Sequence, residues 1–179
     1  MKNYKLLITL LIASLVFTQC GDSKKEEDLN ALEEQYKCKG VDDCLSKYEF
    51  EGARAYAPVE SFGSFSFDDA MKKIVNAESK YWVKEKDYKT AIGIVDEYDG
   101  GSYSQHEKIA MRYELLSVII DELIEARDFD QAKIYALKAS DEHTLEGWNA
   151  TQTNDFDKEE TQQKLLLKKI DNAKKILSK

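Results

Sequence analysis

The chain has 179 residues, long enough for one compact domain with a real core. It carries 34 acidic against 26 basic residues and a formal net charge of −8, with no basic stripe. That balance argues against nucleic acid as a partner, because affinity there rests on neutralising phosphates. It argues equally against electrostatic attachment to anionic lipid.

The first twenty residues read as a targeting signal. Lys2 and Lys5 give a positive start, Leu6 to Phe17 an apolar run, and Phe17-Thr18-Gln19-Cys20 a processing site. The apolar run is too short to span a bilayer comfortably. A cysteine closing such a run resembles the lipoprotein signals of bacteria. The polar, mostly acidic stretch from Gly21 to Asp28 is similar to the tether behind the lipidated cysteine of many Bacteroidetes surface lipoproteins. Gln19 departs from the small residue usual before that cysteine. The resemblance implies a signal peptide over 1–19, an acylated Cys20 with a tether over 20–36, and a folded domain over 37–179. It also implies a cell-envelope location, at the outer membrane, with the lipid as the contact to the bilayer. The rival reading is a cleaved, secreted protein without the lipid.

With Cys20 assigned to lipid, Cys38 and Cys44 remain as a pair. On a straight helix their Cα atoms would stand about 9 Å apart, too far for a disulfide. A turn at Gly40 brings them within reach, and an oxidising envelope favours the bond; two buried free thiols are the alternative.

One proline and eight glycines leave most of the chain free to be helical. Helices are predicted over Val41–Ser46, Glu51–Ala57 (ended near Pro58), Phe67–Lys86, Tyr88–Tyr98, Gln105–Ala126, Phe129–Ser140 and Phe156–Leu177. Ser66 and Ser104 open capping-box patterns, and Asp99-Gly100-Gly101 is a helix stop. The apolar stretch from Leu115 to Ile124 marks its helix as central. In the last helix Leu166, Ile170, Ala173 and Leu177 form one stripe. His143 to Asn154 reads as an irregular loop packed through Trp148.

Three segments share a pattern. Glu49-Phe50-Glu51-Gly52-Ala53, Asp87-Tyr88-Lys89-Thr90-Ala91 and Asp128-Phe129-Asp130-Gln131-Ala132 each place an acid, an aromatic, two spacers and an alanine. The alanines lie 38 and 41 residues apart. Asp87 and Asp128 are suited to cap the helix that follows, and a small alanine lets two helices approach closely. This step resembles the start of the second helix in tetratricopeptide-type repeats, although the period exceeds their usual length of about 34 residues. The resemblance covers roughly Cys38 to Ser140. It implies an all-α stack of about two and a half helical hairpins, closed by a C-terminal capping helix.

Signs of catalysis are thin. His106 and His143 are the two histidines, and neither belongs to a zinc or metalloprotease spacing. No nucleophile elbow or phosphate loop is present. Neither a metal nor a cofactor is expected. The resemblance instead implies a ligand-holding face on the first helix of each hairpin. There Lys73, Asn76, Lys80 and Lys84 share one side, with Glu114, Ser117, Asp121 and Glu125 one repeat later. Two readings follow. The rows form a peptide groove, or they neutralise each other between neighbouring helices. The leading expectation is a lipid-anchored envelope protein that binds another protein or peptide without catalysis. Its rivals are a small hydrolase or carbohydrate-active protein using carboxylates such as Glu78, Asp121 or Glu122, and a purely structural tether.

Overall fold

The computed structural model describes residues 27–61, 64–98, 104–144 and 160–178, with side chains omitted at 64–66 and 104. Every regular element among them is an α-helix. In chain order these are α1 (27–36), α2 (Gly40–Ser46), α3 (Phe50–Glu60), α4 (Ser64–Lys84), α5 (Tyr88–Glu97), α6 (Ser104–Glu125), α7 (Phe129–Ala136) and α8 (Gln162–Leu177). The chain divides into two compact units, one ending at Ala70 and one beginning at Met71. The stretch read as a signal, Cys20, the expected helix stop at Asp99-Gly100-Gly101 and Trp148 lie outside the described residues.

In the first unit α2 packs on α3 through Val41, Cys44, Ala53, Tyr56 and Ala57, all buried. Cys38 and Cys44 are joined by a disulfide, with Cα atoms 5.0 Å apart and neither residue exposed. The Tyr56 hydroxyl donates to the Cys38 carbonyl at 2.9 Å, which ties the strap before α2 to α3. Gly52 faces this strap. A Cβ there would stand 2.9 Å from Tyr36 Cβ and 3.1 Å from Cys38 Sγ, so only glycine admits the approach. Gly40 has φ +84°, and the Glu60 carboxylate accepts from the next amide, Val41, at 3.2 Å.

Two expectations change here. The tether read to residue 36 already contains a helix over 27–36, on which Leu29, Leu32 and Tyr36 recur at helical spacing and are half-buried. Pro58 does not end α3, which continues to Glu60. The amide that proline lacks would serve a single bond in the last turn, and Ser61 N–H to the Ala57 carbonyl at 3.1 Å completes that turn.

The second unit is built around α6, which packs on α5, α7 and α8. Leu116, Ile119 and Ile120 are fully buried, flanked by Leu115 and Leu123, so the apolar run does lie at the centre. Val75 and Val83 of α4, Ile92 and Val95 of α5, Ala132 and Ala136 of α7 and Leu166 and Ile170 of α8 complete this core. The stripe on α8 fades, since Leu177 is 43% exposed. α4 begins at Ser64, so Ser66 lies inside the helix instead of capping it. α7 stops at Ala136 because the chain tightens into i−3 bonds: Lys138 N–H reaches the Tyr135 carbonyl and Ala139 N–H the Ala136 carbonyl. Described helix resumes at Gln162, whose N–H reaches the His143 carbonyl at 2.8 Å; Gln163 N–H reaches the Ser140 carbonyl at 3.0 Å.

The connections from α2 to α3, α4 to α5 and α6 to α7 have one geometry. Tyr48, Lys86 and Arg127 sit in the left-handed region at φ 61°, 64° and 59°. Their N–H groups reach three residues back, to the carbonyls of Leu45, Val83 and Ile124, at 3.2, 2.9 and 2.9 Å. The N–H groups of Glu49, Asp87 and Asp128 reach five back, to Cys44, Trp82 and Leu123, at 2.9, 2.9 and 2.8 Å. This pair of bonds is the Schellman arrangement, and it satisfies the last carbonyls of the first helix. The same acidic residues then start the second helix, all with φ near −90° and ψ near 71°. The alanine four residues on donates back to each of them at 3.0 Å, and Ala53, Ala91 and Ala132 are all fully buried.

Candidate functional site: the α4 and α6 face

α4 and α6 meet over a small hollow in the second unit. Its floor is apolar: Met111 and Leu115 are buried, while Val118 remains 39% exposed. Asn76, Ser79 and Lys80 of α4 and Glu114 of α6 form the walls, and the cavity measures about 100 Å³. Buried Ser79 is occupied locally, donating its hydroxyl to the Asn76 carbonyl at 3.2 Å.

Asn76 and Lys80, from the expected ligand face, therefore come together with Glu114 from the facing row. Lys73 and Lys84 are exposed on the same helix and line no part of this hollow. Part of the α6 row is engaged by another helix. Ser117 and Asp121 receive Lys169 of α8, at 3.0 and 2.6 Å. Charges of α4 and α6 do meet at two other levels. Lys72 pairs with Glu107 at 3.1 Å, and Lys86, in the turn after α4, pairs with Glu122 at 2.5 Å. Arg112 of α6 binds Asp96 of α5. Lys72, Lys86 and Lys169 escaped the sequence reading because the rotation of each helix about its axis decides which lysine of a cluster faces a carboxylate.

Two of the carboxylates named for hydrolysis engage different partners. Asp121 engages Lys169, whereas its neighbour Glu122 accepts from Lys86 and from the Tyr88 hydroxyl at 3.0 Å. The Tyr88 phenol is held above its ordinary pKa, first by burial and then by that bond to Glu122. His143 Nδ1 lies 2.7 Å from Ser140 Oγ, and this hydroxyl also accepts the N–H groups of Glu142 and His143, a local turn motif. Among the described residues no group of three His, Cys, Asp or Glu side chains is arranged to hold a metal. No described helix is long and apolar enough to cross a membrane.

A broader depression of about 980 Å³ lies in the first unit, lined by Asn30, Glu33, Glu34, Lys37, Lys39, Asp43 and Lys47. Two ion pairs form among these residues, Lys39 with Glu33 and Lys47 with Asp43, both at 2.8 Å. The Asp43 carboxyl is held below its ordinary range, first by the hydrogen bond from Lys47 and next by the Lys39 N–H. It is thus a poor general acid near neutrality.

Compared with known proteins, the chain matches no family model, no curated protein and no solved structure.

Proposed function

We propose that the chain is a lipid-anchored protein of the cell envelope whose helical hairpins bind an extended peptide or another protein, without catalysis. In this reading α4–α5 and α6–α7 are successive repeats, α8 closes the second unit, and α2–α3 is a shorter copy of the same hairpin. The three matching turns and their buried alanines support the repeat. The signal layout and Cys20 support the anchor, and the buried Cys38–Cys44 bond suits an oxidising compartment.

The observation that carries the binding function is the hollow between α4 and α6, with its apolar floor and mixed polar rim. Small-molecule sites typically offer about 300–1,000 Å³. A cavity of about 100 Å³ instead suits part of a larger ligand that lies across the face. The test has two arms. Mass spectrometry of the mature N-terminus reports whether Cys20 carries acyl chains. A peptide array probed with the wild-type protein and with Val118→Glu reports binding. The reading expects a defined set of peptides that the variant loses; an array equally silent for both proteins rejects it.

A further inference from the structure

We propose that the hollow between α4 and α6 takes one branched aliphatic side chain of an extended peptide, whose residues two positions before and after carry opposite charges. This deepens the peptide-binding reading and rests on it. Size comes first. At about 100 Å³ the hollow is smaller than the roughly 150 Å³ of an apolar cavity that accepts benzene, so it suits a leucine or isoleucine side chain better than an aromatic one. The chemistry of the floor agrees, since Met111, Leu115 and Val118 offer only aliphatic and thioether surface.

The rim then sets the charges. At one level of the α4–α6 contact Lys72 is matched by Glu107, and at another Lys86 by Glu122. At the hollow, Lys80 and Glu114 make no ion pair or side-chain hydrogen bond among the described residues, and neither does the Asn76 amide. One cation on the α4 side and one anion on the α6 side thus flank an apolar seat. In an extended peptide, residues two apart point to the same side, about 7 Å from one to the next. A leucine in the seat sends its neighbours at minus two and plus two toward the two walls. An acid there meets Lys80, a base meets Glu114, and the Asn76 amide is placed to bond the peptide backbone between them.

The experiment uses the full chain, labelled at its methyl groups, and blocked peptides with the core Glu-Ser-Leu-Ser-Lys. The expected result is shifts at the Leu115, Val118 and Met111 methyls on titration, and at least fivefold weaker binding when the peptide leucine becomes phenylalanine or alanine. Lys80→Glu, an exposed change that leaves the core alone, should reverse the charge preference. It should bind Lys-Ser-Leu-Ser-Lys about threefold better than the original peptide, the scale of one exposed ion pair. Equal binding of the leucine and phenylalanine peptides, or an unchanged charge preference in Lys80→Glu, overturns the inference. Shifts confined to methyls that line no part of the hollow also overturn it but keep peptide binding by the chain. A titration without any shift overturns the inference, and an array without hits rejects the broader reading separately.

Discussion

Glu122 Oε2 sits 2.5 Å from Lys86 Nζ and 3.0 Å from the Tyr88 hydroxyl, so one carboxylate of α6 holds both the turn after α4 and the start of α5. Both partners titrate upward. The bond to Glu122 raises the Lys86 ammonium, and burial followed by the same carboxylate raises the Tyr88 phenol. A folded-state pKa above the unfolded one stabilises the protonated form. The stability is therefore complete below about pH 10 and is lost as the pH rises through the folded values. Wild type should show a falling thermal midpoint above about pH 10, and Glu122→Gln should flatten that fall while lowering the midpoint at pH 8. Parallel alkaline limbs in wild type and variant would show that the contact contributes nothing.

The three turns differ in one chemical respect. Asp87 Oδ1 accepts from Thr90 N–H and Asp128 Oδ1 from Gln131 N–H, both at 3.1 Å, while Glu49, in the same backbone conformation, makes no such cap. The glutamate side chain is one methylene longer and overshoots the amide two or three residues on. Glu49→Asp should therefore raise stability, by a few tenths to about 1 kcal/mol. Urea unfolding monitored by circular dichroism would detect it. A neutral or destabilised Glu49→Asp would mean that the first turn cannot use a side-chain cap.

Acid should act on the turn capped by Asp87. The Asp87 carboxyl is lowered by its bonds from the Thr90 hydroxyl and N–H. A lowered folded pKa contributes stability above the ordinary aspartate range that disappears as the pH falls below about 4. Asp87→Asn keeps an acceptor oxygen without the charge, so its stability should depend less on pH between about 5 and 2 than that of wild type. Thermal midpoints across that range are the measurement, and an unchanged slope would exclude Asp87 from the acid transition.

Much of this was readable from residue types, because the physics is local. Ala53, Ala91 and Ala132 announced buried helix seams, and Asp87 and Asp128 announced caps, since both roles need one small or one short polar side chain at a fixed step. The left-handed residues were hidden. Tyr48, Lys86 and Arg127 are not glycines, so the turn is enforced by the two Schellman bonds and the packing of the hairpin. The helix over 27–36 was hidden by its charge, although Leu29, Leu32 and Tyr36 carried the period. The hollow between α4 and α6 depends on helix rotation. The lysine row found Asn76 and Lys80, yet only packing could place them over Met111 and Leu115.

The alanine seams allow a strong prediction. Each is fully buried at the start of a second helix, so added methylenes have no space. Ala91→Leu and Ala132→Leu should each cost about 1–3 kcal/mol by overpacking, measured by urea unfolding. Ala91→Ser, close in volume, should cost less. An Ala91→Leu protein as stable as wild type would mean that α5 is not held closely at this point.

Reduction tests the first unit. The Cys38–Cys44 bond closes a short loop, and the chain-entropy argument assigns such a loop about 2 kcal/mol. Both sulfurs are inaccessible, so a phosphine reductant should act slowly on the native protein and quickly once urea has opened it. Reduction also loosens the strap that presents the Cys38 carbonyl to Tyr56, whose phenol burial holds above its ordinary pKa. Hydrogen exchange should accelerate over residues 36–57 in the reduced protein, while the core around Leu116 and Ile120 keeps its protection. Rapid reduction of the native chain, or exchange that accelerates equally in both units, would contradict a buried bond with a local role.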